Sequence, residues 1–279
     1  MTNPHVYDIG DKIKRGGKMS IKKSTDIGVL KDVKDYWDKR SDSYSKQNIA
    51  ELHSFKRDAW RKIILENAPH KDKLKILDVG TGPGFFAINL ALEGHDVAAV
   101  DCTEGMLKKA KENAKVYGAE VRFDKANAHQ LPFMDGEFDL VVSRNVVWNL
   151  ESPQAAFKEW SRVLSNDGRI LYYDANWYLY LFDEKLKEEH RKCQQEADRL
   201  YPDDCPSRTI GVNMEKIAYN LPLSKVKRPG WDVGALESCG MSVLKVDENI
   251  GKRVWEEKEK IRYQATPMFM LCAQKRQEN

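Results

Sequence analysis

The most constraining feature of this chain is a stretch that passes from an apolar run into a glycine-rich turn. Residues 76–86 read Ile-Leu-Asp-Val-Gly-Thr-Gly-Pro-Gly-Phe-Phe, so an acid and three closely spaced glycines interrupt the apolar side chains. Glycine is needed where the backbone takes positive φ, or where a ligand approaches closer than a Cβ would allow. The pattern predicts a buried strand, a tight turn and a helix start, with free N–H groups of the turn facing a ligand.

The spacing of these glycines bears on the class of ligand. Dinucleotide oxidoreductases use G-x-G-x-x-G in the same setting, whereas Gly80, Gly82 and Gly84 give G-x-G-x-G, with Asp78 two residues ahead. Farther along, residues 97–101 form a second apolar run that ends in Asp101. An acid at that place is well positioned to accept hydrogen bonds from both hydroxyls of a ribose. The two strand ends therefore predict a nucleoside ligand, and the glycine spacing weakens the oxidoreductase alternative.

At these residues the chain resembles the class I S-adenosylmethionine-dependent methyltransferases. The first motif of that family reads D/E-x-G-x-G-x-G, and its second strand ends in an acid. Residues 126–133 and 136–143 resemble the third and fourth motifs, commonly G-D-A-x-x-L-P-F and F-D-x-V-x-S. Asn127 departs from the pattern, because an Asp usually accepts a hydrogen bond from the adenine amino group there. An amide oxygen can still accept that bond without charge assistance.

The resemblance implies S-adenosylmethionine as the cofactor and assigns residues to it. Ala128 would present its backbone N–H to the adenine ring, and Cys102 would lie along the adenine face. Tyr36 and Tyr44 are candidates for a lid from the N-terminal segment, with ordinary core packing as an equal alternative. The residues expected to bind the cofactor are Tyr36, Tyr44, Asp78, Gly80, Thr81, Gly82, Gly84, Asp101, Cys102, Met106, Asn127, Ala128 and Arg144.

From residue 74 onward, short apolar runs alternate with longer amphipathic ones. This alternation predicts an α/β fold with a doubly wound, mostly parallel sheet. The resemblance implies seven strands, with an antiparallel C-terminal hairpin at 241–246 and 268–273. The predicted parts are a flexible basic tail (1–28), lid helices with the cofactor-binding core (29–176), a helical cap (177–230), and a C-terminal helix with the hairpin (231–279).

Local signals give further expectations for individual segments. Residues 41–45, Ser-Asp-Ser-Tyr-Ser, are predicted to interrupt the first helix. The cap is expected to begin with a long charged helix over 182–201, which a proline ends and a loop over 201–213 follows. Asp232 is expected to cap the N-terminus of a short helix that ends at Gly240.

The acceptor is expected between the cap and the ends of the fourth and fifth strands, because ligands in open parallel sheets bind there. The aromatic and amide side chains of this region suit a cationic or flat molecule. His129 is either a base or a solvent-facing loop residue. The residues expected to act on the acceptor are Arg144, Asn145, Trp148, Asp174 and Trp177, with Asn149, Asn176, Tyr178 and Tyr180 as further lining; core packing is the alternative for Tyr173 and Tyr178.

The composition restricts the classes of partner. The 46 basic and 43 acidic residues leave a net charge of +3, too mild to indicate nucleic acid. No apolar run approaches the ~20 residues of a membrane span, and no signal-peptide core is present, so a soluble cytoplasmic protein is expected. Five cysteines fit a reducing compartment. His190, Cys193 and Cys205 are a conceivable metal site, but packing explains them equally well and no metal is expected.

These features predict methyl transfer by in-line displacement to a nitrogen, oxygen or sulfur nucleophile of a small molecule. One alternative is a nucleic-acid or protein methyltransferase, although the fourth strand ends in Ser-Arg-Asn-Val and lacks the N-P-P-Y signature that holds a flipped adenine. Another is a non-catalytic binding module, which the large cap disfavours because a sensor has little use for a second enclosed pocket. The sequence leaves the acceptor and the oligomeric state open.

Overall fold

The structure is a computed structural model that describes residues 26–204 and 208–276. The basic tail predicted over 1–28 lies outside the described residues except for its last three. The strands are β1 (Lys75–Val79), β2 (Asp96–Asp101), β3 (Val121–Lys125), β4 (Phe138–Arg144), β5 (Leu164–Asp174), β6 (Met241–Asp247) and β7 (Phe269–Lys275). The helices are α1 (Asp26–Leu52), α2 (Lys56–Asn67), α3 (Phe85–Ala91), α4 (Glu104–Tyr117), α5 (Pro153–Val163), α6 (Glu184–Leu200), α7 (Arg208–Ala218), α8 (Gly230–Ser238), α9 (Gly251–Val254) and α10 (Glu257–Arg262).

The strands form a single seven-stranded sheet in the order β3-β2-β1-β4-β5-β7-β6. The first five strands pair in parallel, and β7 pairs antiparallel with both β5 and β6. This confirms the predicted doubly wound, mostly parallel fold. The strand order reverses between β1 and β4, so the carboxyl ends of these two strands border the crevice in which such folds bind ligands.

Two apolar layers cover the faces of the sheet, because side chains of a strand alternate between its faces. Tyr172 and Tyr173 are adjacent in β5, fully buried, and lie in different layers. Tyr173 contacts Trp60 and Phe86 edge to face, at centroid distances of 4.7 and 5.6 Å. Tyr173 is therefore a core residue.

The predicted break at residues 41–45 does not occur, and α1 runs without interruption from Asp26 to Leu52. Serine disfavours helix interiors because its hydroxyl competes for backbone groups. Here Ser45 is buried and accepts a hydrogen bond from Nδ2 of Asn113 on α4 at 3.1 Å. Its hydroxyl is thus engaged between helices.

Two predictions for the cap and the segment after it are also wrong. The loop predicted over 201–213 is cut short by α7, which begins at Arg208. Asp232 does not cap α8, because Pro229 occupies the N-cap and the Asp232 carboxylate binds Arg228 and the Tyr172 hydroxyl. The charged helix at the start of the cap is present as α6.

The C-terminal strands pair as expected but are not joined by a tight turn. Helices α9 and α10 lie between β6 and β7 in the chain. Among the described residues, no helix is both long and apolar enough to cross a membrane. Over the same ranges, no group of three metal-ligating side chains occurs, and Cys205 of the conceivable site lies outside them.

Candidate active site

A cleft opens at the carboxyl ends of β1, β2 and β4 and is bordered on one side by α1. It contains about 960 Å³ of space including its open mouth. Most of the residues predicted for the cofactor line it. These are Tyr44, Asp78, Gly80, Thr81, Gly82, Asp101, Cys102, Met106, Asn127, Ala128 and Arg144, and Asn145 and Asn149 lie there with them.

Tyr36 and Gly84 are the two predicted cofactor residues that do not line the cleft. Tyr36 packs edge to face on Trp37. Gly84 has a φ of +95°, and a Cβ there would lie 3.3 Å from the Ala110 side chain of α4. The backbone conformation and the packing of α3 against α4 explain this glycine without a ligand contact.

The backbone of the glycine turn is already hydrogen bonded. The N–H groups of Gly80 and Thr81 both donate to Val100 O, at 2.8 and 3.0 Å. Gly82 N–H donates to Asp101 Oδ2 at 3.0 Å, and Gly84 N–H donates to Thr81 O. The expectation of free N–H groups facing a ligand is therefore wrong. A turn without free donors does not form the phosphate cradle of dinucleotide sites.

Asp101 is held in place at the end of β2. Its Oδ1 accepts from Thr103 N–H at 2.8 Å, while Oδ2 accepts from Gly82. Asp101 also lines the cleft, where its carboxylate can accept from the hydroxyl groups of a ribose. Burial raises the pKa of the Asp101 carboxyl above its ordinary value.

Asp78 lies almost fully buried, with 2% of its surface exposed, at the end of β1. Its Oδ2 accepts from the Thr81 hydroxyl at 2.7 Å and from Ala87 N–H at 3.1 Å. Burial outweighs these bonds and raises the pKa of Asp78 to about 6. The acid thus fixes the turn to α3 and places a titratable group beside the cleft.

Asn127 folds its amide back onto its own turn. Its Oδ1 accepts from His129 N–H at 3.1 Å and lies 2.6 Å from His129 Nδ1. An amide oxygen has two lone pairs, and both are used here. The contact of this oxygen with an adenine amino group stays a prediction, and it would require the amide to leave His129.

His129 is not the solvent-facing residue that one alternative described. Its side chain is 12% exposed and lines the cleft. Burial lowers its pKa, so the imidazole is neutral at physiological pH. It lies at the end of the cleft that Asn127 and Ala128 border, away from α1.

Helix α1 forms the lid over the glycine turn. The Tyr44 ring lies 3.5 Å from the position that a Cβ on Gly82 would take. Asp38 Oδ1 accepts from Gly105 N–H of α4 at 2.8 Å, which fastens the helix across the cleft. Trp37, which the sequence placed with Tyr36 and Tyr44 in the lid, also lines the site. Val33 and Asn48 of α1 line it as well and were not predicted, although helical spacing connects them to Tyr44.

Arg144 lies at the end of β4, with its guanidinium 4.6 Å from the centroid of the Phe85 ring. Its Nη2 donates to Glu51 Oε2 of α1 at 2.8 Å. Both side chains are largely shielded from solvent, with 12% and 13% of their surface exposed. The ion pair joins the lid helix to the end of a central strand.

Asp174 is fully buried and does not line the cleft. Its Oδ2 accepts from Trp148 N–H and from Arg228 Nη1, both at 2.8 Å, and its Oδ1 accepts from Trp177 Nε1 at 3.0 Å and from Ala175 N–H at 2.9 Å. A carboxylate engaged in this way cannot take an acceptor molecule. The structure corrects its predicted role: Asp174 positions the residues that follow β4 and β5.

Trp148 and Trp177 come together in an apolar cluster between α1 and the cap, which also contains Tyr36, Trp37 and Tyr178 and is called the aromatic cluster below. Each indole is anchored by its N–H. Trp148 Nε1 donates to Asn145 O at 2.9 Å, and Trp177 donates to Asp174. In the amide orientation that satisfies its neighbours, Asn149 accepts from Trp37 Nε1 at 3.2 Å. The N–H groups of all three indoles are therefore engaged within the protein.

Other residues predicted to line the acceptor site serve the cap itself. Tyr180 donates to Glu215 Oε1 of α7 at 2.7 Å and stacks on His190 of α6 at 4.0 Å between ring centroids. Asn176 exchanges two hydrogen bonds of 2.9 Å with the backbone of Arg228. These contacts hold the cap segments to one another and to the end of β5.

Comparison with known proteins shows similarity to methyltransferases. A family model described as "Methyltransferase domain" matches residues 77–172. An uncharacterized methyltransferase of Bacillus subtilis is 32% identical over 113 residues, covering 40% of this chain and 45% of the relative. Demethylmenaquinone methyltransferase of Thermus thermophilus is 37% identical over 114 residues, covering 40% of this chain and 52% of the relative. The chain spans about half the length of these curated relatives.

The fold is shared more widely than the sequence. A solved S-adenosylmethionine-dependent methyltransferase from Aquifex aeolicus superimposes with a TM-score of 0.52 at 21% identity, over 82% of this chain and 97% of the solved one. The matched family region contains the glycine turn, Asp101, Asn127 and the end of β4. It therefore includes most of the residues that line the cleft.

Proposed function

We propose that this chain, which contains a class I S-adenosylmethionine-dependent methyltransferase domain, transfers the methyl group of that cofactor to a small-molecule acceptor. The observation that supports this best is the combination of two carboxylates, Asp78 and Asp101, with a glycine turn whose N–H groups are all engaged. Such a cleft suits a nucleoside that carries positive charge and no phosphate. A dinucleotide would bring a pyrophosphate for which the turn offers no free donor.

When bound, S-adenosylmethionine supplies a methyl group on a good leaving group, so the protein mainly has to align the acceptor and exclude water. Asp101 lines the cleft and is suited to accept hydrogen bonds from the hydroxyls of the ribose. Tyr44 lies directly over Gly82 and covers the turn. Trp37 lines the cleft and also belongs to the aromatic cluster, so it connects the cofactor site with the side from which an acceptor would enter.

The aromatic cluster supports a small acceptor with a flat or cationic group. Its indoles are fixed by hydrogen bonds to Asn145, Asn149 and Asp174, so their ring faces are preorganised. Aromatic faces attract cations and stack on planar groups. The acceptor determines whether a nitrogen, an oxygen or a sulfur atom is methylated, and the screen described below identifies it.

Calorimetric titration tests the cofactor. The protein should bind S-adenosylhomocysteine and fail to bind NAD, and Asp101→Asn should weaken the first interaction while the far-ultraviolet circular dichroism stays unchanged. Binding of NAD with no binding of S-adenosylhomocysteine would overturn the proposal.

A methyl-transfer screen tests the acceptor class. Cofactor labelled in the methyl group is incubated with the protein and separate pools of small metabolites, RNA, DNA and protein. Label in a small-molecule product supports the proposal. Label that appears only in a macromolecular pool would contradict the small acceptor and leave the methyltransferase assignment intact.

A further inference from the structure

The α1 side of the cleft contains a polar side chain that none of the roles above uses. We propose that the Asn48 amide and the Arg144 guanidinium together bind the carboxylate at the amino-acid end of S-adenosylmethionine. The inference rests on the proposed function only in taking this cofactor as the ligand. It adds a binding residue from the lid helix, outside the four sequence motifs.

Asn48 is buried without a hydrogen-bond partner for its amide nitrogen. Its exposed fraction is 2%, it lines the cleft, and within 26–204 and 208–276 nothing accepts from its Nδ2. Buried amide donors are nearly always satisfied in folded proteins, because leaving one unmet is costly. A donor that stays unmet beside a ligand cleft is explained if the ligand supplies the acceptor.

Glu51 connects Arg144 to the face of α1 that carries Asn48. Residues three apart in a helix share a face, and Glu51, three residues after Asn48, accepts from Arg144 Nη2 at 2.8 Å. A guanidinium carries five N–H donors. Over the described part of the chain, the Arg144 guanidinium makes this one hydrogen bond, so further donors of this cleft-lining side chain remain for a ligand.

The chemistry of the pair selects an anionic acceptor. Guanidinium N–H and amide NH₂ groups are donors, and a carboxylate accepts from both with charge assistance. The only carboxylate of S-adenosylmethionine is at its amino-acid end. Asp78 lines the same cleft and provides negative charge for the ammonium group of that end.

The position of Asn48 favours the cofactor over an acceptor molecule. Asn48 borders the cleft together with Asp78, Gly80 and Phe85 of the first motif. The ribose site at Asp101 and the Asn48 site then hold the two ends of one ligand.

A pair of ligands isolates this contact. S-adenosylhomocysteine has the amino-acid end, and 5′-methylthioadenosine lacks it while keeping the adenosine and the sulfur. Both are titrated calorimetrically into the full chain and into Asn48→Leu. We expect the variant to bind S-adenosylhomocysteine about tenfold or more weakly, as for the loss of a hydrogen bond to a charged group, and to bind 5′-methylthioadenosine as the parent does.

Two further variants complete the design. Asn48→Asp keeps the shape and replaces the donor by a negative charge, so it should weaken S-adenosylhomocysteine more than Asn48→Leu does. Gln47→Leu removes an exposed amide from the neighbouring position of α1 and should change neither affinity. If Asn48→Leu does not fold, Asn48→Asp tests the same contact with the carboxylate.

The outcomes separate this inference from the proposed function. Unchanged affinity of both Asn48 variants for S-adenosylhomocysteine, or an equal loss for both ligands, would overturn the role of Asn48. If the expected pattern appears but no methyl transfer occurs with any acceptor, the catalytic proposal fails and the binding site remains. If the parent protein does not bind S-adenosylhomocysteine, both fail.

Discussion

Asp174 Oδ2 lies 2.8 Å from Arg228 Nη1, and both side chains are shielded from solvent, with 0% and 3% of their residue surfaces exposed. Asp174 is the last residue of β5, and Arg228 lies at the end of the cap. The pair therefore fixes the point at which the cap returns to the core. Through Trp148 N–H and Trp177 Nε1, the same carboxylate also fixes two members of the aromatic cluster.

Truncation of Asp174 should therefore be a stability defect rather than a simple loss of a substrate contact. Arg228 would keep Asp232 as a partner, but Trp148 N–H and Trp177 Nε1 would lose their acceptor, at about 1–3 kcal/mol for each buried donor left unsatisfied and about 2–6 kcal/mol together. We expect Asp174→Ala to lower the free energy of unfolding by about that amount in urea titrations. Asp96→Asn, an exposed acid in β2, is the control and should change it by less than about 0.5 kcal/mol. A similarly small loss for Asp174→Ala would contradict the role given to the pair.

The sequence predicted the strands and the glycine turn because these are local signals. Apolar runs bounded by glycine and acids have few alternatives to buried parallel strands. The partners of Asp174 were beyond this reasoning, since Arg228 is 54 residues away and joins it only after the cap has folded. Asp174 was therefore predicted to contact the acceptor at the end of β5.

The lid shows a second limit of sequence reasoning. Ser41, Ser43 and Ser45 favour a helix break by propensity, yet α1 continues because tertiary contacts override it. The Ser45 hydrogen bond to Asn113 spans 68 residues and has no local signature. Because a helix break was predicted there, the sequence did not indicate that Tyr44, Asn48 and Glu51 lie on one face of α1.

Substitution of Gly82 should weaken ligand binding in addition to lowering stability. Its φ is +54°, and a Cβ would approach the Tyr44 ring to 3.5 Å on the cleft side. Gly94 has a φ of +88° with open space around it, so Gly94→Ala experiences comparable backbone strain, of about 1–2 kcal/mol, away from the cleft. We expect similar losses of stability in Gly82→Ala and Gly94→Ala, measured by thermal unfolding.

Only Gly82→Ala should weaken S-adenosylhomocysteine binding in calorimetry. Wild-type affinity in this variant would show that the turn does not contact the ligand. Reduced affinity in Gly94→Ala would show that strain anywhere in the core impairs binding, and the comparison would then carry no information on contact.

Cofactor affinity should depend on pH through Asp78. The pKa of this carboxyl is about 6 in the free protein because burial favours its neutral form. A cationic ligand prefers the ionised form, so the affinity for S-adenosylmethionine should rise between about pH 5 and pH 7 and level off above. Asp78→Asn should bind more weakly at pH 7.5 and lose this part of the pH dependence, measured by titration across the range.

Folding stability of the free protein should follow the opposite trend. Because the folded-state pKa of Asp78 lies above its ordinary value of 3.8, the folded state binds more protons in the interval between the two. Its contribution to stability is therefore present at low pH and is lost as pH rises toward and through 6. A cofactor affinity that does not change from pH 5 to 7 would contradict the expectation for binding. If the free energy of unfolding depended on pH in the same way in Asp78→Asn and in the parent protein, the expectation for stability would be wrong.

The cap side of the site should affect turnover more than cofactor binding, and Trp177 tests this directly. Trp177 belongs to the aromatic cluster, does not line the cofactor cleft, and contacts Tyr263 edge to face at 5.5 Å. Trp177→Ala removes a large aromatic surface, a truncation that costs a few kcal/mol at interfaces. We expect the affinity for S-adenosylhomocysteine to change less than about twofold, while the rate of methyl transfer to the acceptor found by screening falls at least tenfold.

Trp231→Ala is the matched control, because that tryptophan packs on Phe157 in the opposite apolar layer. Equal weakening of cofactor and acceptor binding in a folded Trp177→Ala, or an equal loss of turnover in the control, would place Trp177 in the structural core rather than at the acceptor.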